Sequence, residues 1–271
     1  MTIKLLALDL DGTLFGDDLI ISDRIRAAIM AAQQKGVIVT IATGRMFRSA
    51  RHVAAKLSLD EPLICYQGAL IQHSISREVL YHKTVPIHLA HEIISATADR
   101  SLHLNMYVGD ELYVAADNPQ ARYYADINMD LQLHIVDDLH LWLEAHPGAE
   151  PTKLVIVTDA IYTDDTLNLF TDLYGDKLQV TKSHPRFTEF TSKECSKGHA
   201  LSFLSAHYGI DQAEVMAIGD GHNDLDMIAW AGYGVAMSTA PQAVLDVARI
   251  ISPPISEDGA AFAIEKYVLG L

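Results

Sequence analysis

The sequence predicts an α/β fold in which a parallel-sheet core is interrupted by an α+β insert. In the first and last parts of the 271-residue chain, short apolar runs alternate with helical stretches. This order is typical of right-handed crossovers in a parallel sheet. The middle of the chain instead contains a hairpin pattern. We therefore expect a core domain from residues 1–82 and 188–271, with an inserted domain at residues 83–187.

The first strand is predicted over residues 3–8, an apolar run that ends at Asp9. Such a run suits a strand that is covered on both faces of a sheet. Ser22 lies where an N-cap is expected, and its helix extends to about residue 35, before Gly36. The core thus begins with a strand and a helix.

Two further apolar runs continue this half of the core. Residues 37–42 end at the sequence Thr43-Gly44-Arg45 and lead into a helix that ends near residue 57. Residues 63–65 are predicted to form the third parallel strand. Because ligands collect at the carboxyl ends of strands in open α/β sheets, we expect the functional residues directly after these strands.

The insert begins with a predicted hairpin, residues 104–108 and 111–115 joined by Gly109-Asp110. The remaining elements alternate, with helices predicted near 86–99, 137–145 and 163–174 and strands near 153–158, 177–182 and 187–191. The core then resumes with a helix from Lys197, and its last strands are predicted near 214–218, 233–236 and 249–251.

Composition limits the classes of partner. Lys and Arg total 20 against 35 for Asp and Glu, which gives a formal net charge of −15 and disfavours nucleic acid and anionic membranes. No apolar stretch approaches the roughly 18 residues of a membrane span, and no cleavable signal precedes the first strand. Cys65 and Cys195 match no metal-binding spacing, so we expect reduced thiols and a cytoplasmic location.

Acidic residues follow two of the predicted strands. Asp9 and Asp11 lie one residue apart, and an isolated pair of this kind is most simply a solvated strand end. A second pair, Asp220 and Asp224, lies in a glycine-rich turn after another strand. Carboxylates that converge from two strand ends need a cation, and oxygen ligands select Mg²⁺ or a similar ion.

Groups that suit a phosphate surround this predicted metal site. A magnesium ion with two or three carboxylate ligands keeps positions for water and a phosphate oxygen. Thr43 and the backbone amides around Gly44, at a helix N-terminus, would donate to the other oxygens. Lys197, at the start of a later helix, adds a positive charge.

Four motifs in this order resemble those of the haloacid dehalogenase (HAD) superfamily of phosphohydrolases: DLDGT at 9–13, ATGR at 42–45, SKG at 196–198 and GDGHND at 219–224. The insert resembles the cap of the Cof-type, class IIB sugar-phosphatase branch. The resemblance covers essentially the whole chain and implies a Rossmann-like HAD core with an α+β (C2B-type) cap for substrate specificity.

This resemblance assigns roles to the motif residues. Asp9 would be the nucleophile that forms an aspartyl-phosphate, and Asp11 would be the general acid and then the base. Asp9, Asp220 and the backbone carbonyl of Asp11 would hold Mg²⁺, with Asp224 acting through water or by orienting Lys197. The phosphoryl group would be bound by Thr43, Gly44, Lys197 and Asn223.

The implied function is a Mg²⁺-dependent phosphomonoesterase that acts on small phosphorylated metabolites, in particular sugar phosphates, as a monomer or homodimer. A phosphomutase or phosphotransferase of the same fold is an alternative, although the insert has few basic residues for a second phosphate. A metabolite-binding regulator without catalysis is a third.

Several residues have both a structural and a functional interpretation. Thr13 suits a turn or cap, Arg45 suits either substrate phosphate or a helix surface, and Asp17 and Asp18 suit solvated loop charges. Candidates for substrate contact on the strands of the insert are His103, Asn105, Tyr107, Tyr113, Arg186 and Phe187.

Overall fold

A computed structural model describes residues 2–16, 18–127 and 131–271, so Asp17 lies outside the described residues. The chain forms two compact units, a core unit of Met1–Tyr81 with Ser196–Leu271 and an inserted unit of His82–Cys195. The predicted return to the core at residue 188 is therefore too early. Residues 187–192 form a strand of the inserted unit's sheet, and its backbone pairing keeps that segment in the inserted unit.

The strands are, in chain order, β1 (Leu5–Leu8), β2 (Ile38–Ile41), β3 (Pro62–Cys65), β4 (Leu70–His73), β5 (Val79–His82), β6 (His103–Val108), β7 (Glu111–Val114), β8 (Leu133–Ile135), β9 (Lys153–Val157), β10 (Leu178–His184), β11 (Phe187–Ser192), β12 (Val215–Gly219), β13 (Tyr233–Met237) and β14 (Ile250–Ser252). The helices are α1 (Asp23–Gln34), α2 (Phe47–Lys56), α3 (Ile87–Ala98), α4 (Pro119–Ile127), α5 (Leu139–Ala145), α6 (Ala160–Tyr174), α7 (Lys197–His207), α8 (Leu225–Trp230), α9 (Gln242–Val247) and α10 (Gly259–Ala263).

The core unit is built on a parallel sheet in the order β14-β13-β12-β1-β2. β1 lies between β12 and β2, with Leu5 level with Val215 on one side and Ile38 on the other. All four residues of β1 are buried, as its uninterrupted apolar sequence predicts for a sheet covered on both faces. The predicted α/β core is confirmed.

The prediction that residues 63–65 form a third parallel strand of this sheet is wrong. β3 pairs antiparallel with β4, in a separate three-stranded sheet of order β3-β4-β5. Its parallel contact with the extension of β2 is one bridge between Ala42 and Ile64. A tight turn at residues 66–68 returns the chain directly into β4, so β3 forms its ladder with the neighbour that follows it in sequence.

Helix capping follows the sequence closely. The Ser22 hydroxyl accepts a hydrogen bond from the Ile25 amide at 3.1 Å, which confirms the predicted N-cap of α1. Ser196 caps α7 in the same way, through the His199 amide at 3.1 Å. Lys197 is therefore fixed as the first residue of its helix.

The inserted unit contains a six-stranded sheet in the order β10-β11-β9-β6-β7-β8. The predicted hairpin is present: Val108 pairs with Glu111, and Gly109 and Asp110 have φ angles of 59° and 65°, which suit a two-residue turn. The sheet also includes β8, and α4 precedes it; the sequence pattern predicted neither element. An apolar cluster that includes Ile93, Leu154 and Phe170 forms the core of this unit.

Three of the candidates for substrate contact form hydrogen bonds within the inserted unit. The ring of His103 lies 2.8 Å from the Asn105 side-chain oxygen and 3.0 Å from the Asn118 amide nitrogen. The Tyr107 hydroxyl donates to the Tyr124 hydroxyl at 3.0 Å. These buried side chains therefore form part of the unit's internal packing. None of the helices formed by the described residues combines the length and the apolar character that a bilayer span requires.

Candidate active site

The first carboxylate of the site is fixed by the end of β1. Asp9 continues the strand, because its amide donates to the Ile218 carbonyl oxygen of β12 at 3.0 Å. The chain then turns at Gly12, whose φ is +85°, so Asp9 stays buried while Asp11 is exposed. The two aspartates of DLDGT thus have different environments although one residue separates them.

Lys197 joins two carboxylates from different strand ends. Its ammonium nitrogen lies 2.6 Å from Asp9 Oδ1 and 2.5 Å from Asp224 Oδ1, and its side chain is fully buried. Burial lowers the pKa of an ammonium group, but the negative charges of Asp224 and Asp9 outweigh this effect, so the pKa of Lys197 is raised. The lysine is therefore a permanent positive charge in the site.

Asp224 organises the turn that carries it. While Oδ1 faces Lys197, Oδ2 accepts hydrogen bonds from the amides of Asp220 and Gly221, at 3.0 and 2.9 Å. Both oxygens of this carboxylate are thus engaged by the protein. In this arrangement Asp224 suits the role of orienting Lys197 and the Asp220 loop better than that of a direct metal ligand.

Three carboxylates converge closely enough to share a cation. Asp9, Asp220 and Asp224 each offer an oxygen atom within 4.8 Å of the others. Burial and the neighbouring charge of Asp224 raise the pKa of Asp9 well above its ordinary value and that of Asp220 to about 6. Positive charge beyond that of Lys197 would therefore favour the ionised forms of Asp9 and Asp220. This excess of buried carboxylates and their hard oxygen donors fit Mg²⁺.

Two neighbouring residues shape Asp220. The Thr13 hydroxyl donates to Asp220 Oδ1 at 2.9 Å and is completely buried. A Cβ atom at Gly12 would lie 2.3 Å from Asp220 Oδ2. The motif around Asp9 therefore positions a carboxylate that lies more than 200 residues away in sequence.

The Asp11 side chain lies outside this carboxylate group and is held by Arg45. The guanidinium donates from Nε to Asp11 Oδ2 at 2.8 Å and from Nη2 to Asp11 Oδ1 at 2.5 Å. The Arg45 amide in turn donates to the Thr43 hydroxyl at 3.1 Å. The ATGR motif is thereby attached to the predicted acid.

The predicted phosphate ligands Thr43, Gly44 and Asn223 are connected through Gln67. The Asn223 amide nitrogen donates to Gln67 Oε1 at 3.1 Å. A Cβ atom at Gly44 would lie 2.3 Å from Gln67 Nε2, so any other residue at this position would displace the Gln67 side chain. The Gln67 backbone amide donates to the Thr43 carbonyl oxygen at 3.1 Å.

The structure thus brings Asp9, Lys197, Asp220 and Asp224 into one cluster and links Thr43, Gly44 and Asn223 to each other. Sequence reasoning missed the contacts that Thr13, Arg45 and Gln67 make. Thr13 and Arg45 belong to recognisable motifs, but Gln67 carried one signal, its position just after a strand.

Known proteins resemble this chain over almost its whole length. A family model for haloacid dehalogenase-like hydrolases matches residues 6–264. The 5-amino-6-(5-phospho-D-ribitylamino)uracil phosphatase YcsE of Bacillus subtilis (strain 168) is 33% identical over 273 residues, which cover 98% of this chain and 96% of that protein.

Solved structures show the same fold. A haloacid dehalogenase-like hydrolase from Bacteroides thetaiotaomicron superposes with a TM-score of 0.86 at 30% identity, covering 98% of this chain and 99% of that chain. A subclass IIB sugar phosphatase of the HAD superfamily has a TM-score of 0.81 at 23% identity, covering 97% and 98% of the two chains, a likeness of fold alone. Relatives such as YcsE are named phosphatases. The chain therefore belongs to the haloacid dehalogenase-like hydrolase family.

Proposed function

We propose that the protein is a Mg²⁺-dependent phosphomonoesterase that hydrolyses small phosphorylated metabolites through an aspartyl-phosphate on Asp9. The observation that carries this proposal is the position of Lys197 between Asp9 and Asp224, within a group of three carboxylates. A buried lysine paired with the nucleophile can orient its carboxylate and then stabilise the oxygens of the transferring group.

In the first proposed step, the Asp9 oxygen not held by Lys197 attacks phosphorus. The new Asp9 O–P bond forms as the P–O bond to the leaving alcohol breaks. Asp11, protonated on an oxygen that has left one of its two Arg45 hydrogen bonds, gives that proton to the alcohol oxygen. In the second step Asp11 removes a proton from water. The water oxygen then attacks phosphorus, the Asp9 O–P bond breaks, and orthophosphate leaves.

The other residues provide charge and position. Asp9, Asp220 and the Asp11 backbone carbonyl would hold the metal, and Asp224 would support it by orienting Lys197. When bound, Mg²⁺ supplies positive charge that keeps the carboxylates ionised and polarises the phosphoryl group. Donors from Thr43, Gly44, Lys197 and Asn223 would bind the phosphoryl oxygens as negative charge builds up on them.

The substrate class that we propose is a phosphorylated sugar or sugar alcohol. The relative YcsE is named for a substrate with a phosphorylated ribityl chain, and transfer of this class to the present chain is part of the proposal. The inserted unit would act as the cap that selects the leaving group. Cytoplasmic location and a monomeric or homodimeric state stay predictions.

The mutase alternative gains no support from the basic residues of the inserted unit. Lys153 forms a buried ion pair with Glu189 at 3.0 Å, and Arg186 pairs with Asp159 at 2.7 Å. Lys182 pairs with Asp164 at 2.5 Å. A second phosphate bound by these three residues would have to compete with their carboxylate partners. A regulator without catalysis would not need the intact cluster around Asp9.

A phosphate-release screen with Mg²⁺ tests the proposal, using sugar phosphates, nucleotides, pyridoxal phosphate and flavin mononucleotide. We expect release of orthophosphate from a sugar phosphate, and no release with Asp9→Asn although this variant still binds the metal and the ester. Formation of a sugar-phosphate isomer in place of orthophosphate would favour the mutase. A wild-type protein that is inert on the whole panel would contradict both enzyme functions.

A further inference from the structure

The turn after β3 has an unusual backbone. Tyr66 and Gln67 have φ angles of 52° and 58°, in the left-handed region that side chains other than glycine rarely adopt, and Gly68 follows at 90°. Both side chains are almost completely buried. Strain of this kind persists where surrounding contacts enforce it, and such places are often functional sites.

The contacts that enforce this turn come from the ATGR segment. The Tyr66 amide donates to the Arg45 carbonyl oxygen at 3.0 Å, and the Gln67 amide donates to the Thr43 carbonyl oxygen at 3.1 Å. These two bonds bracket Gly44. The turn and the ATGR segment are therefore joined on both sides of a predicted phosphate ligand.

The Gln67 side chain extends the connection to a second motif. It lies against Gly44 so closely that a Cβ atom there would meet its amide nitrogen at 2.3 Å. At its other end, Oε1 accepts the hydrogen bond from Asn223. An amide nitrogen has two N–H groups, so the bond to Gln67 orients the second N–H of Asn223 as well.

Gly68 connects the turn to a third motif. A Cβ atom at Gly68 would lie 2.2 Å from the carbonyl oxygen of Ser196, the N-cap of the helix that begins at Lys197. The turn thus contacts all three segments that carry predicted phosphate ligands, which are ATGR, SKG and GDGHND.

We propose that Gln67 is a positioning residue that holds Asn223 and the Thr43-Gly44 segment in the arrangement needed to bind the transferring phosphoryl group. This inference rests on the proposed function. Gln67 acts through Asn223 and Gly44, and it is the side chain by which the turn joins ATGR to GDGHND. The main-chain bonds to the ATGR segment hold its strained backbone, and this backbone places the side chain between both segments.

The test is a double-mutant cycle with Gln67→Met, Asn223→Ala and the double variant, measured on the full chain with Mg²⁺. Methionine roughly keeps the length of the side chain, but its thioether is a much weaker acceptor for the Asn223 hydrogen bond than the Gln67 oxygen. Orthovanadate serves as a mimic of the transferring phosphoryl group, and its affinity is measured by calorimetry independently of turnover. Gln72→Met is the matched control, because Gln72 bonds to the Arg77 carbonyl oxygen in the same small sheet.

We expect Gln67→Met to weaken vanadate binding and to lower kcat/KM by about 10- to 100-fold, as is typical of residues that support ligand-binding groups. In the Asn223→Ala background the same substitution should have much less effect, because the group that it positions is absent. The Gln72→Met control should bind vanadate like the wild type. If Gln67→Met does not fold, Gln67→Ala provides the same comparison.

Equal vanadate affinity in the wild type and Gln67→Met would overturn the inference, as would effects that are additive with Asn223→Ala. If the wild type releases phosphate but either of these two results is found, the proposed function is supported and the positioning role of Gln67 is contradicted. The wild type could instead hydrolyse no ester while the effects of Gln67→Met and Asn223→Ala on vanadate affinity are non-additive. The proposed function would then be contradicted and the positioning role of Gln67 supported. A wild type that neither hydrolyses esters nor binds vanadate contradicts both.

Discussion

The Arg45 guanidinium holds both carboxylate oxygens of Asp11, at 2.8 and 2.5 Å. The Asp11 side chain is 56% exposed and that of Arg45 is 15% exposed, so the arginine is the better fixed partner. A two-point ion pair of this kind sets the orientation of a carboxylate as well as its distance. Asp11 is thus aimed by a residue of another motif.

Arg45→Met should therefore lower kcat/KM for alkyl phosphates, by about tenfold or more, because the acid is no longer oriented. The loss should be smaller for p-nitrophenyl phosphate, whose leaving group needs little protonation. Steady-state kinetics on the two substrates measure the difference. Arg24→Met is the control, because Arg24 forms a similar two-point pair with Glu265 at 3.0 and 2.7 Å. An equal loss on both substrates would contradict the orienting role.

Lys197→Met should abolish measurable turnover and destabilise the fold by about 3–5 kcal/mol, because two buried carboxylates lose their cation. The pKa of Asp9 is already raised by burial, and a raised carboxyl pKa means that the folded state binds more protons than the unfolded state. The destabilisation should therefore be larger at pH 8 than at pH 5, where a carboxylate can take up a proton. Urea unfolding at the two pH values measures this.

Lys153→Met is the matched control for that measurement. Lys153 is similarly buried, and its ion pair within the described part of the chain is with a single carboxylate, that of Glu189. Its removal leaves a single buried charge, so the pH dependence of the loss should be weaker. A Lys197→Met variant whose stability is independent of pH would show that the carboxylates had relaxed to solvent.

Asp220→Asn should stabilise the metal-free protein above pH 6, by on the order of 2 kcal/mol. Burial and the charge of Asp224 raise the pKa of Asp220 to about 6. Its contribution to stability is complete below the unfolded value near 4 and is lost as pH rises through 6, whereas asparagine loses nothing. Thermal unfolding between pH 5 and 8 measures the difference, with the exposed Asp246→Asn as control.

Mg²⁺ should reverse this order of stability. Ligand binding stabilises the folded state in proportion to the logarithm of the ligand concentration, and the wild type at pH 8 offers ionised carboxylates. At pH 5 protons compete with the metal, so the increase in Tm should be small. An Asp220→Asn variant with the same Mg²⁺-dependent increase in Tm as the wild type would show that the negative charge of Asp220 is not needed to hold the metal.

Gly12→Ala and Gly36→Ala separate backbone strain from damage to the site. The φ angles are similar, +85° and +81°, but the Cβ at Gly12 would lie 2.3 Å from Asp220 and that at Gly36 meets nothing within 4 Å. We expect a cost of about 1–2 kcal/mol from strain in each. Only Gly12→Ala should also weaken Mg²⁺ affinity, which titration calorimetry can measure. Equal metal affinities would mean that Asp220 can move without loss.

The sequence was most informative where local rules suffice. Ser22 as a helix cap and Gly109-Asp110 as a hairpin turn are confirmed, because their chemistry is decided within a few residues. The pairing of β3 was not predictable in this way. An apolar run of three or four residues indicates that a strand is buried. It does not indicate which strand is its hydrogen-bonded neighbour or whether the two are parallel or antiparallel.

The same distinction applies to the site. The order of the motifs identified Asp9, Asp11, Lys197 and Asp220 as the residues to examine, since each follows a strand or begins a helix. It could not show that Arg45 holds Asp11 or that Gln67 contacts Gly44 and Asn223. Which side chains meet across a long sequence separation depends on loop conformations and rotamers. The spacing of residues in the sequence does not predict either of these.

The sequence by itself determined an α/β core with an insert, the strand-end positions of the acidic residues and the resemblance to a phosphohydrolase family. Tertiary structure decided the rest: β11 belongs to the inserted unit, Asp224 uses both oxygens within the protein, and Lys197 bridges it to Asp9. The physical reason is that the periodicity of apolar residues and the capping of helices depend on only a few neighbouring residues. Burial, charge pairing and strand pairing are settled only when distant segments meet.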